Sequence, residues 1–239
     1  MKFLNLKKVL CLSPHPDDVE IGMMGTIFTY RGTKFDILCM TKGGAKGYDN
    51  TNELDRRKEV DNVWNFWKPG VTDHVQVHHS KYDYFEDSTE PGWINYIENE
   101  FIKKYDYFED TNEPGWINYV ENDFIKKNNY DCIFIPTTDD SMFEHRFVNG
   151  FGAALCRFSP ISIIEYHTFS SLNSWQPNLF VDIQSIYHEK CNSLQEFKSQ
   201  SHKSYFKRKS LDAFHNNFQC NKKGKGMVEQ FKIIELFGV

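Results

Sequence analysis

Three short apolar runs constrain the fold most: KVLCLS (8–13), KFDILCMT (34–41) and DCIFIPT (131–137). Runs of this length read as strands buried in a parallel sheet. Residues 21–31 carry a helical pattern between the first two, and Gly32 closes it. A second helix is predicted over 52–67, with Leu54, Val60, Val63, Trp64 and Trp67 as its apolar positions and Pro69-Gly70 as its stop. HVQVHH (74–79) then reads as a further strand. Strands alternating with helices imply βαβ units with right-handed crossovers and helices on both faces of the sheet. The predicted class is α/β, a Rossmann-like three-layer sandwich with a mostly parallel sheet. Such sheets bind ligands beyond the carboxyl ends of their strands. SPHPDD follows the first strand and TTDDSMFEHR the later one, so both fall on that edge.

The chain has 239 residues, enough for one large domain, and residues 1–239 are read as one. A net charge of −5 gives no general basic field, so nucleic acid is not an expected partner. The local basic cluster of Lys203, Lys207, Arg208 and Lys209, followed by Lys222, Lys223 and Lys225, reads as a solvated helix and loop face. Six cysteines are spread singly, and Cys11, Cys39 and Cys132 lie inside apolar runs as small hydrophobes. That usage suits a reducing compartment, and no run approaches the ~20 apolar residues of a membrane span. The N-terminal apolar stretch is too short for a secretory signal, so a cytoplasmic location is expected.

One anomaly interrupts the pattern. YDYFEDSTEPGWINYIENEFIKK (82–104) is followed at once by YDYFEDTNEPGWINYVENDFIKK (105–127), identical at 19 of 23 positions. Two copies without a third do not make a solenoid, so this is a tandem duplication inside the domain. Each copy reads as an acidic, aromatic loop leading into an amphipathic helix, and only one such helix is needed to reach the strand near 131.

His15, Asp17 and Asp18 crowd an imidazole and two carboxylates at a strand end. Adjacent like charges raise each other's cost, and a divalent cation offsets it. His15 and Asp18, on a turn tightened by Pro16, can face one metal, leaving Asp17 to face a water. Histidine plus carboxylate with an open position suits Zn²⁺, with Fe²⁺, Mn²⁺ or Co²⁺ also compatible. A third ligand must come from another strand end. His145 is the best placed, with His78, His79, His167 and His202 as competitors.

SPHPDDVEIGMMGTI resembles the opening signature of the PIG-L/LmbE-like family of metal-dependent N-deacetylases. DSMFEHR (140–146) is similar to that family's second element, TKGGAKG (41–47) to its Thr-x-Gly turn, and Arg56 with Glu59 to an R-x-x-E element. The segment 181–200 is similar to its later V-D-I … K … S-Q stretch. The resemblance implies His15, Asp18 and His145 as metal ligands and Asp17 as general base. It implies a small-molecule N-acetyl amino sugar or a conjugate of one as substrate. Arg56, Asp83 and Asp140 are the residues expected to serve substrate binding. For Arg56 a helix-surface ion pair competes with that role, and Asp83 has a copy in Asp106. One position departs from the pattern: Met142 stands where the family has a histidine, and a thioether donates no proton. Three readings follow. The first is an active N-deacetylase, the second a catalytically weakened metal- and carbohydrate-binding protein, the third a metal hydrolase of another amide or ester. A dehydrogenase is excluded, because no G-x-G-x-x-G follows the first strand.

Overall fold

The computed structural model describes residues 3–43, 56–67, 72–80, 120–156, 160–216 and 226–237. The first repeat copy, Asp83, Asp106 and the lysines at 222, 223 and 225 lie outside these residues, and the second copy is described only over 120–127.

The strands are β1 (Lys8–Ser13), β2 (Lys34–Cys39), β3 (Val75–His79), β4 (Cys132–Pro136), β5 (Ser162–Tyr166), β6 (Leu179–Asp182) and β7 (Val228–Glu235). They form one sheet in the order β3-β2-β1-β4-β5-β7-β6. The first five are parallel, and β7 runs antiparallel to both β5 and β6. The helices are α1 (Asp18–Thr29), α2 (Arg56–Asn65), α3 (Phe143–Leu155), α4 (Tyr187–Ser193) and α5 (Arg208–His215). This is the α/β architecture with a mostly parallel sheet that the alternating runs predict.

The apolar runs are continuous because each strand feeds two cores. Val9 and Cys11 of β1 join Phe35, Ile37 and Cys39 under α1, α2, α4 and α5. Leu10 and Leu12 join Leu38, Ile133 and Ile135 under α3 and the π-helical turn Glu121–Ile125. Adjacent residues of a strand point to opposite faces, so a middle layer needs apolar side chains at every position. The five described cysteines are all buried and free.

The chain leaves β1 toward β2 and β3 on one side and returns through β4 on the other. The gap between the C-terminal ends of β1 and β4 is therefore a topological switch point. A buried ion pair locks α1 above it. Lys190 Nζ donates to Glu229 (2.6 Å) and to the Ile21 carbonyl (2.6 Å). Glu229 accepts from the Gly25 and Thr26 amides at 2.7 and 2.6 Å. A Cβ at Gly25 would stand 2.5 Å from Ile183 and 2.9 Å from that carboxylate, so this helix face must carry glycine.

Candidate metal centre

The first motif turns sharply off the end of β1. Ser13 Oγ donates to the His15 carbonyl (2.7 Å), and Thr41 Oγ1 beyond β2 donates to the Pro14 carbonyl (2.9 Å). Asp17, the residue before α1, takes φ 141°, a conformation that side chains with a Cβ seldom adopt. Strain of this kind persists only where the surroundings over-determine it, and it concentrates at functional sites.

Three buried side chains meet beyond this turn. One ligand atom each from His15, Asp18 and His145 lies within 4.8 Å of the others. Asp18 Oδ2 stands 3.2 Å from His15 Nδ1 and 3.3 Å from His145 Nε2, and the two ring nitrogens are 3.3 Å apart. The far side of His145 is held by Asp140, whose Oδ2 lies 3.0 Å from its Nδ1. Asp140 also accepts from Thr168 Oγ1 (3.0 Å), Ser171 Oγ (3.3 Å) and the Met142 amide (2.8 Å). A carboxylate behind a histidine fixes its tautomer and aims its other nitrogen, the usual support of a metal-ligating histidine. The donor set fits a divalent cation: two imidazole nitrogens and a carboxylate face one point, with polar support behind.

Electrostatics follow the geometry. Burial works against the charge of Asp18, yet His145 and His15 hold its carboxyl far below the usual range. Burial also opposes charge on His145, but Asp18 and Asp140 raise it to about 10. Asp17 is different. Burial pushes it up to about 6, against the pull of the Arg56 guanidinium. Arg56 Nη1 reaches Asp17 Oδ2 at 3.5 Å. Arg56 is only 7% exposed, which rules out a helix-surface pair. Gly43 makes this possible. Its φ is +78°, and a Cβ there would lie 2.1 Å from the guanidinium.

A protein-family model supplies the decisive match. Residues 10–156 match the PIG-L model, described as GlcNAc-PI de-N-acetylase. The chain belongs to the PIG-L family. No curated protein sequence matches it. Among solved structures, the N,N'-diacetylchitobiose deacetylase of Pyrococcus horikoshii superposes with TM-score 0.65 at 22% identity, covering 98% of this chain and 85% of that one. The zinc-inhibited form of teicoplanin deacetylase Orf2 gives 0.62 at 11%, covering 94% and 97%. GalB, the 4-carboxy-2-hydroxymuconate hydratase of Pseudomonas putida KT2440, gives 0.61 at 14%, covering 98% of each. At these identities the likeness is one of fold, and a hydratase among them shows that the fold does not name the reaction.

The other sequence candidates lie elsewhere in this PIG-L chain. His78 faces Asp36 (3.6 Å) and His79 faces Asp61 (3.0 Å). His167 is stacked between Trp175 and Phe214, with centroids at 4.8 and 4.2 Å. His202 is exposed. Asp140, expected to contact substrate, accepts from the Met142 amide through Oδ1 and faces His145 through Oδ2. Thr168 and Ser171 were missed, because hydroxyls on a loop carry no motif. An antiparallel bridge between Asp140 and Ser171 brings them in.

Proposed function

We propose that the chain is a metal-dependent N-deacetylase that hydrolyses the acetamide of an amino sugar or its conjugate, all of residues 1–239 serving that one domain. The observation that carries this reading is the convergence of His15, Asp18 and His145 with Asp17 beside them. His15, Asp18 and His145 would hold the metal, which would polarise the amide carbonyl and acidify water. Zinc is the metal we assign. Fe²⁺, Mn²⁺ and Co²⁺ compete, since a teicoplanin deacetylase of this fold has a zinc-inhibited form.

Asp17 takes the proton of the attacking water and returns it to the departing nitrogen, so acetate and a free amine are released. Arg56 fixes the carboxylate from the side, and Asp140 keeps His145 aimed. Asp83 remains a proposed contact to sugar hydroxyls. The weakened-protein reading rests on Met142 and the duplicated block, and no described feature adds to it.

The test is free-amine release from a panel of N-acetylglucosamine conjugates, comparing wild type with Asp17→Asn at equal metal content. Asp17→Asn should lower turnover by ~10²-fold or more. Undiminished turnover in that variant would refute the base assignment.

A further inference from the structure

The reaction proposed above builds negative charge on the amide oxygen, and hydrolytic sites face such charge with a hydrogen-bond donor. Met142 cannot supply it, being a thioether at the start of α3 and 38% exposed. Three described polar groups near it are engaged. Arg56 faces Asp17 across Gly43, Thr168 bonds Asp140, and Ser170 Oγ stands 3.3 Å from His145 Nδ1.

One cation remains. Lys203 belongs to the basic cluster read as solvated, yet it is half-buried while Lys207, Arg208 and Lys209 are exposed. Two independent contacts tie its segment to elements that border the site. Its ammonium lies 5.5 Å from the centroid of the Tyr205 ring. That ring stacks at 5.3 Å on Phe169, which stands between Thr168 and Ser170 in the loop beside His145. From the other side, Glu59 on α2 accepts from the Ser199 amide (2.8 Å) and hydroxyl (2.6 Å). This clamps the turn that ends in the Lys203 N–H···Gln200 carbonyl bond (2.9 Å) to the helix carrying Arg56. Lys203 makes no ion pair among the described residues.

We propose that Lys203 is the substrate-side donor of this site, its ammonium facing the amide oxygen as that oxygen gains charge. The inference rests on the deacetylase reading. In the step, the water oxygen bonds to the acetyl carbon and the water proton goes to Asp17. The C–N bond breaks, and the nitrogen takes the proton from Asp17. Lys203 donates a hydrogen bond throughout and keeps its own proton. Burial lowers the pKa of Lys203, and the first charge opposing that shift is Asp17, consistent with an ammonium on the same side as the base.

The test uses metal-loaded protein, with amine-release kinetics and calorimetric titration with acetate, the product whose carboxylate mimics the charged oxygen. Lys203→Met should lower kcat by ~10²-fold with KM within a few-fold, and weaken acetate binding by about tenfold. Lys203→Arg, which keeps the cation, should retain more than a tenth of the turnover. Adding Met142→His to Lys203→Met should recover turnover, which a merely structural lysine would not permit. A Lys203→Met protein within threefold of wild type in kcat, or with unchanged acetate affinity, would overturn the assignment. So would a full loss in Tyr205→Phe alone, which moves the donor to that hydroxyl. A wild type that releases no amine, while losing acetate affinity on Lys203→Met, refutes the deacetylase reading and supports the cation's placement.

Discussion

At the scale of single residues, the site is a set of unequal carboxylates. Asp18 is held ionised by two imidazoles, Asp17 is raised by burial beside one guanidinium, and Asp140 is spent on orienting His145. Each predicts a different mutant. His145→Ala should release the metal, measured as metal per protein after dialysis, whereas retained stoichiometry would remove it as a ligand. Asp140→Asn should weaken metal affinity by ~10–100-fold without abolishing it, because it removes a support and not a ligand. Gly43→Ala should lower turnover while leaving metal content intact, since its methyl displaces Arg56 and demands a strained φ. The cluster of His15, Asp18 and His145 was legible in the sequence because a histidine and paired aspartates stiffened by prolines stand at a strand end, with a second histidine after a later strand. Asp140's orienting role was not, because the partner that defines it, His145, becomes a neighbour only once α3 forms.

At the scale of elements, β1, β2 and β4 were readable because a strand buried on both faces is apolar at nearly every position, whereas β3, with no fully buried residue, was read from HVQVHH. The antiparallel strand β7 was not, since VEQFKIIE places Glu229 inside as the partner of Lys190 and leaves its last residues exposed. β5 was hidden for a similar reason, as its Glu165 is buried against Asn149 and Trp175. The duplicated block separates β3 from β4, and the described part of its second copy already seats Val120 and Phe124 in the core under α3. Deleting 82–104 should therefore leave thermal stability and metal content near those of the full chain. A Δ82–104 protein that does not fold would show that both copies are required.

At the scale of the whole molecule, stability depends on polar groups buried far from the centre. Lys190 and Glu229 have 0% side-chain exposure, so Lys190→Met should cost ~3–5 kcal/mol in denaturant unfolding by stranding the carboxylate. Among the groups through which acid acts are two buried histidines, His167 and His215, held neutral. Burial lowers His167 to about 4 and His215 well below its ordinary value. The unfolded chain takes their protons first, near pH 6.5. Stability is therefore full above that pH and is lost as pH falls toward 4, by roughly 1.4 kcal/mol per pH unit for each histidine. His167→Phe, which keeps the stack, should flatten this limb of urea midpoints measured between pH 7 and 4. An unchanged slope would exclude His167 as its source. In the proposed reaction one metal on His15, Asp18 and His145 drives amide hydrolysis. It is tested most directly by measuring amine release from an N-acetylglucosamine conjugate before chelation, after it, and after adding back Zn²⁺, Fe²⁺, Mn²⁺ or Co²⁺ in turn. Release should disappear with the metal and return with at least one of these ions; undiminished release from metal-free protein would rule out a metal-driven reaction.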